Sequence, residues 1–223
     1  MWNALDSLRG ALAVVLGNVD WMLWNGGLAA IPLLLASRLF RHRDPVLRLG
    51  PLWWVGLLAF LAFLPNAPYV LTDLVHLNED VPDTPGRWGV AFLLVPSYLI
   101  FCALGFGCYV VSLLWLGRFL ARRGWSGTRV ATAEVGIHAL TAVGVYVGRF
   151  VRFNSWDLVS RPHEVALTTA RLYDELGPTG FTTVFFVATC LLYWPAKHVV
   201  IAVVSYVRGG GIRESRSLVD RWL

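Results

Sequence analysis

The chain has 223 residues, of which 57% are hydrophobic and 15% charged. A soluble domain has about a quarter of its residues charged, so this composition excludes an ordinary soluble domain. The formal net charge is +5, but the arginines stand between apolar runs, where they set membrane topology, and we expect no nucleic-acid partner.

Residues 1–20 form an amphipathic segment. Its apolar residues recur at steps of three and four, which predicts a helix with one apolar face. They are Leu5, Leu8, Leu12, Val15 and Val19. We expect this helix to lie on the membrane surface, and a short additional span is the alternative.

Five apolar runs are long enough to cross a bilayer, which requires about 20 residues. Spans A to E cover residues 21–40, 51–71, 88–116, 130–150 and 181–207. In lipid, a lone apolar run satisfies its backbone only as a helix. The sequence therefore predicts an all-α, polytopic transmembrane helical bundle with five spans, or six, plus a surface helix. We expect one membrane-embedded domain over residues 1–223, with the lipid bilayer as its partner.

The arginines between the spans predict the orientation, because positive residues favour the cytoplasmic side. The A–B link, the C–D link and the tail (residues 208–223) each carry four Arg, whereas the B–C link carries one. The D–E link also carries four, but over a longer stretch that contains acidic residues. This pattern predicts a multi-pass protein of the cell membrane whose basic tail and C-terminus are cytoplasmic.

The D–E link is expected to contain its own helix on the outer surface. Ser160 can cap that helix, Pro162 suits its first turn, and Gly177-Pro178 is expected to end it.

Two segments differ from ordinary membrane sequence, and the first is LPNAPYVLTDLVHL at residues 64–77. Pro65 and Pro68 interrupt span B near its predicted outer end, and each removes a backbone donor. Polar side chains surround the break: Asn66, Tyr69, Thr72, Asp73 and His76. In lipid, irregular backbone persists only where protein or a water-filled cavity covers it. The alternatives are a ligand site and a kinked helix end that satisfies its own carbonyls.

The second segment is GVYVGRFVRFNSWDL at residues 144–158. Its GxxxG step permits close helix packing. Arg149 and Arg152 are three apart, which predicts that they share one helix face, and Asn154 and Asp157 follow closely. The alternative interpretation is an interface anchor in which the Arg side chains reach toward the headgroups.

Spans B and D run in the same direction, so both polar segments are expected at the outer face. The candidate ligand-binding residues are Asn66, Tyr69, Asp73, His76, Arg149, Arg152, Asn154 and Asp157. We expect Asp73 or Asp157 to lie within hydrogen-bonding reach of Arg149 or Arg152, with a two-pronged contact between guanidinium and carboxylate.

The segments LPNAPYVLTDLVHL and GRFVRFNSWDL resemble the two signature segments of the domain of unknown function 1361 family of membrane proteins. The resemblance implies the membrane-span pattern over most of the chain. It implies no catalytic residues, because that family is uncharacterised.

A third polar set is predicted inside the membrane. Glu134 and His138 are four apart on span D, and Lys197 stands on span E at a similar depth. The two interpretations are a buried Glu134–Lys197 pair and a proton or ion relay.

These residues support three functional hypotheses. The first is an outer-face site, in which Asp73 and His76 act as base and orienter and the Arg pair binds an anionic small molecule or lipid headgroup. The others are a small oligomeric transporter and a non-catalytic assembly partner. Whether the protein is an enzyme stays open, and no cofactor is expected. A metal site of Asp73, His76 and His163 is conceivable, but nothing in the sequence brings His163 near, so no metal is expected.

Overall fold

The computed structural model describes residues 3–41, 50–172 and 176–207. All the regular elements in these ranges are helical, and five helices are long and apolar enough to cross a membrane. They are Ala4–Phe40, Pro51–Asp83, Arg87–Arg122, Gly127–Val151 and Gly177–Tyr206. This confirms the predicted all-α polytopic bundle, with five spans among the described residues.

Three of the five spans change helix type along their length. The α-helices are α1 (Ala4–Phe40), α2 (Pro51–Phe63), α3 (Asn66–Tyr69), α4 (Leu74–Asp83), α5 (Arg87–Gly89), α6 (Val95–Arg122), α7 (Gly127–Tyr146), α8 (Asp157–Ser160), α9 (Pro162–Leu172) and α10 (Leu176–Val207). A 3-10 turn, Val70–Asp73, joins α3 to α4, and π-helical turns, Val90–Leu94 and Val147–Val151, begin the third span and end the fourth. Such turns often stand at functional sites.

The first helix differs from the expected surface helix. Asn3 caps it by accepting a 2.8 Å hydrogen bond from the Asp6 backbone N–H, and it continues unbroken to Phe40 over 37 residues. At 1.5 Å per residue it is about 55 Å long, more than a hydrocarbon core requires. Its small residues Ser7 and Ala11 are buried, whereas the predicted leucine stripe is exposed. In a membrane protein lipid can cover the apolar stripe, so small residues face the bundle.

Helix α6 is the centre of the bundle, and α1, α3, α7 and α10 pack against it. Its buried aromatic residues Tyr98 and Tyr109 have no exposed surface. The main apolar cluster joins α1, α2, α6 and α10 through side chains such as Phe40, Phe60 and Tyr193. Helices α7 and α10 pack on each other beside α6, which places the fourth and fifth spans together on one side.

The link between the fourth and fifth spans contains the expected short helix, with Pro162 as the first residue of α9. The predicted end at Gly177-Pro178 is wrong. These two residues lie in the first turn of α10, where a proline costs no hydrogen bond because the first helical N–H groups have no helical partner. The basic tail, residues 208–223, lies outside the described residues.

Candidate functional site

The break in the second span arises at Leu64 and Pro65, between α2 and α3. Carbonyls along the broken segment accept hydrogen bonds from nearby side chains. The Asn66 side chain donates to the Phe63 carbonyl at 3.0 Å, the Thr72 hydroxyl donates to the Tyr69 carbonyl at 2.7 Å, and the Cys102 thiol donates to the Val70 carbonyl at 3.4 Å. The broken segment therefore largely satisfies itself, which supports part of the kinked-helix interpretation.

Two glycines on neighbouring helices hold this broken segment. A Cβ atom on Gly105 of α6 would come within 2.5 Å of Val70, and one on Gly144 of α7 would come within 2.5 Å of Pro65. Real Cβ contacts are never this short, so both positions require glycine at the present spacing. The GxxxG step thus packs α7 against the proline break, and a Cβ atom on Gly148 would lie 3.7 Å from the Tyr69 ring.

Arg149 and Asp73 meet at this junction, as the sequence predicted. Arg149 Nη1 donates to Asp73 Oδ1 at 3.1 Å, and the same nitrogen reaches the Tyr69 hydroxyl at 3.4 Å. Asp73 Oδ2 accepts a hydrogen bond from Asn25 at 2.9 Å. The carboxylate is buried, while 23% of the Arg149 side chain is exposed. The expected two-pronged contact is wrong, because Asn25 occupies the second carboxylate oxygen. We call the end of the bundle that holds this pair the site end.

Arg152 and Asp157 do not join the pair. The π turn ends at Val151, and the next residue, Arg152, has a φ of 63°, which places it in the left-handed region. That turn breaks the i, i+3 geometry, so the prediction that both arginines share a helix face is wrong. Arg152 is exposed and, within the described ranges, forms no ion pair.

Asp157 instead organises the loop between the π turn and α9. Its Oδ2 accepts from the Asn154 backbone N–H at 2.7 Å, and its Oδ1 accepts from Arg161 at 3.0 Å. The Asn154 backbone bond, followed by the hydrogen bond from Arg161, holds the pKa of Asp157 below its ordinary value. The same contact raises the pKa of Arg161. Asp157 is therefore a structural residue of the loop.

The contacts of His76 do not support its expected role as the residue that orients the base Asp73. Its Nδ1 lies 2.9 Å from Glu79 one turn along α4, and its ring lies 5.1 Å from Trp21. His163 is exposed on α9. Among the residues that the structure describes, no group of three His, Cys, Asp or Glu could hold a metal ion. The conceivable Asp73–His76–His163 metal site therefore does not form.

Sequence reasoning missed a polar ladder between α1 and the end of the second span. Asn25 contacts Asp73, Trp21 contacts His76, and the Asn18 side chain donates to Asp80. Tyr98 of α6 also donates to Asp80, at 2.8 Å. A signal was present in the sequence, because Asn18, Trp21 and Asn25 follow helical spacing inside an apolar helix.

A cavity of about 840 Å³ opens where the two sequence segments meet. Apolar residues form its walls, among them Val55 and Leu58 of α2, Leu140 of α7, Leu28 of α1 and Val165 of α9. Its polar groups are uncharged: Asn25, Asn66, Tyr69, Asn154, Ser155 and Thr169. No Asp, Glu, Lys, Arg or His is among the described residues that line it. The Asn66 side chain donates to the Ser155 hydroxyl at 2.9 Å, which joins the two segments directly.

The polar set predicted inside the membrane contains an ion pair, which is one of its two predicted interpretations. Lys197 Nζ lies 2.8 Å from both carboxylate oxygens of Glu134, and the Tyr193 hydroxyl donates to Glu134 Oε1 at 2.8 Å. Lys197 and Glu134 are both buried. His138 lies one turn away, with Nδ1 at 2.7 Å from the Tyr109 hydroxyl. This geometry supports the ion-pair interpretation of Glu134 and Lys197.

The fold and these contacts define a class: an all-α, multi-pass membrane protein with a proline-broken span at a polar junction. Within that class, the chain belongs to the family described as Protein of unknown function (DUF1361), whose model matches residues 24–193. That range contains both sequence segments, and the match confirms the resemblance. No curated protein and no solved structure matches the chain.

Replacing Arg149 by Gln should destabilise the protein by about 3 kcal/mol, because buried Asp73 would keep only the hydrogen bond from Asn25. This value is at the low end for a broken buried pair, since Arg149 is partly exposed. The matched variant Arg152→Gln removes the same charge at an exposed position and should cost less than about 0.5 kcal/mol. Thermal unfolding in detergent measures both. Equal losses would contradict a structural role for the Arg149–Asp73 pair.

In the Glu134–Lys197 pair, Lys197→Met should lower the free energy of unfolding by about 3–5 kcal/mol, because it leaves Glu134 charged, buried and without its cation. Adding Glu134→Gln to Lys197→Met should recover part of that loss, since the second change removes the stranded charge. Thermal unfolding in detergent of Lys197→Met, of Glu134→Gln and of the double variant completes a double-mutant cycle. Strictly additive losses would be evidence that the two side chains are not energetically coupled.

Proposed function

We propose that this protein binds an amphipathic membrane lipid in the cavity between α2 and α7, with an anionic headgroup at the mouth near Arg152. The observation that carries the proposal is the cavity itself, which has apolar walls and an uncharged polar end built from both sequence segments. Its volume is within the range of about 300–1,000 Å³ that small-molecule sites usually have.

A lipid tail is the occupant that the walls favour. Val55, Leu58 and Leu140 line the cavity, and each remains more than half exposed. In a bilayer, such exposed apolar side chains face hydrocarbon, so the cavity is accessible to the surrounding lipid. An acyl chain entering between α2 and α7 therefore exchanges one apolar environment for another and needs no passage through water.

The uncharged lining determines where the headgroup lies. A phosphate inside the cavity would lose its hydration without meeting a cation, and burying such a charge is costly. The neutral groups near Asn66 and Ser155 can instead hydrogen-bond the ester or hydroxyl region of the lipid. The phosphate then stays at the mouth, beside the loop that follows the π turn.

Arg152 is the residue best suited to that phosphate. It lies in the chain between two cavity-lining residues, Gly148 and Phe153, and it is exposed. Arg149 is committed to Asp73, so its charge is already compensated. A guanidinium without a carboxylate partner provides charge-assisted hydrogen bonds to phosphate oxygens. The two arginines therefore divide between a structural role and a binding role.

We further propose that the protein resides in the cell membrane with the site end outward and the C-terminus in the cytoplasm. The arginine distribution supports this orientation, because the A–B link, the C–D link and the tail lie on one side of a five-span bundle and each carry four Arg. The lipid would then enter from the outer leaflet.

The lipid proposal predicts that filling the cavity blocks binding. Ala59 lines the cavity, so Ala59→Trp should weaken binding of phosphatidylglycerol to the purified protein at least tenfold. Ala103→Trp is the matched control, because Ala103 is exposed on α6 and is not a lining residue. Arg152→Gln should weaken phosphatidylglycerol binding about tenfold, which is the value of one charge-assisted hydrogen bond.

Native mass spectrometry of the protein with phosphatidylglycerol, with neutral diacylglycerol and with inorganic phosphate measures these differences. Inorganic phosphate alone should bind weakly, since it lacks the tail. Equal binding by Ala59→Trp and Ala103→Trp would reject the cavity as the lipid site. Phosphate binding that matches phosphatidylglycerol would indicate a free anion as the ligand.

The orientation predicts that two reporters lie on opposite sides of the membrane. Alkaline phosphatase fused after Asp83 should be active, because it folds only outside the cytoplasm, and a fluorescent protein fused after Leu223 should be bright. Inactive phosphatase at Asp83 would place the site end in the cytoplasm, and the lipid would then come from the inner leaflet.

A further inference from the structure

Two buried polar atoms lie between α7 and α10 without a hydrogen-bond partner among the described residues. They are His138 Nε2 and Thr189 Oγ1. Both side chains have no exposed surface. Buried polar atoms in folded proteins almost always have a partner, either from protein or from an ordered water, so this pair requires an explanation.

The antiparallel packing of α7 and α10 brings these two side chains to the same level. At one end of the interface, Glu134 contacts Lys197 and Tyr193. At the other end, Ala142 and Phe185 share one apolar cluster. His138 lies midway between Glu134 and Ala142 on α7. Thr189 lies midway between Tyr193 and Phe185 on α10. The two unpartnered atoms therefore belong to facing turns.

The ring of His138 is fixed from its other side. Its Nδ1 lies 2.7 Å from the Tyr109 hydroxyl, which is also 3.4 Å from Thr141 Oγ1. The Tyr193 ring meets the imidazole edge-on at a centroid distance of 4.6 Å. When the Tyr109 hydroxyl donates to Nδ1, the neutral imidazole carries its proton on Nε2, which is then a buried donor.

Thr189 also departs from the usual behaviour of a hydroxyl on a helix. Such hydroxyls commonly donate to the carbonyl four residues earlier, as Ser205 does to Ile201 at 2.8 Å on the same helix. Thr189 makes no such bond. Its hydroxyl is therefore available to a partner in the α7–α10 interface.

We propose that the α7–α10 interface binds one internal water molecule that bridges His138 Nε2 and Thr189 Oγ1. The water accepts a hydrogen bond from Nε2–H and donates to the threonine hydroxyl, which gives it two of the two to four partners that a buried water needs. This completes a hydrogen-bonded chain from Tyr109 through His138 and the water to Thr189. The chain links α6, α7 and α10 and is independent of the lipid site.

The sign of a stability change tests the proposal. Valine is nearly isosteric with threonine, so Thr189→Val removes the hydroxyl with little change in shape. If the water bridges the two groups, Thr189→Val should lower the melting temperature in detergent by several degrees. If Thr189 Oγ1 has no partner, the same change removes an unsatisfied polar atom and should raise it. Ser205→Ala is the control for loss of a buried hydroxyl on α10 with a known intrahelical bond.

A second measurement on the wild-type protein detects the water directly. Infrared difference spectra in D₂O and D₂¹⁸O should contain an isotope-sensitive O–D band of an internal water. The band should disappear in Thr189→Val and in His138→Asn, which keeps a polar atom near the Nδ1 position but removes Nε2. Ser205→Ala should retain the band. A wild-type spectrum without the band, a band unchanged in both variants, or a higher melting temperature for Thr189→Val would overturn the proposal.

Discussion

An unpaired backbone carbonyl costs several kcal/mol in hydrocarbon, and the second span frees such carbonyls at Pro65 and Pro68. Much of the site end follows from this constraint. The side chain of Asn66 and the Cys102 thiol supply donors, and glycines on α6 and α7 allow both helices to cover the irregular backbone. The close approach at Gly144 places the end of α7 against the break.

The same packing gives two nearby arginines different roles. Arg149 is still within the π turn and reaches the carboxylate of Asp73, which is buried at the end of the 3-10 turn. Three residues later the backbone is left-handed, so Arg152 leaves the helix face and remains exposed. A local change of backbone geometry thus separates a charge that stabilises the bundle from one that is available to a ligand.

Polar contacts inside this bundle are arranged along helix pairs. One ladder joins α1 to the end of the second span through the hydrogen bonds from Asn25 to Asp73 and from Asn18 to Asp80. Another joins α7 to α10 through Glu134 and Lys197. Lipid tails are as apolar as leucine, so apolar side chains give little preference for one helix neighbour over another. The polar ladders provide that preference, and the leucine-rich faces are left for the lipid.

The sequence by itself determined the class of fold. Span length and apolarity predicted five membrane helices. Charges at matched depth predicted that Asp73 or Asp157 would meet Arg149 or Arg152, and they gave a Glu134–Lys197 pair as one of two interpretations. These features depend on solvation and on the cost of unpaired charges, which act through residue type and position along a span. The proline break was also visible, because proline lacks a backbone donor in any context.

Only the tertiary structure decided which polar groups share a site. The spacing of Arg149 and Arg152 assumed a regular helix, and the π turn that breaks it arises where α7 ends against the broken span. The sequence allowed Asp157 to pair across the junction, but its ion pair is with Arg161, which lies one helical turn away. The cavity between α2 and α7 had no signature at all. A cavity is the space left between helices, so its shape depends on how they pack, whereas sequence patterns describe each helix alone.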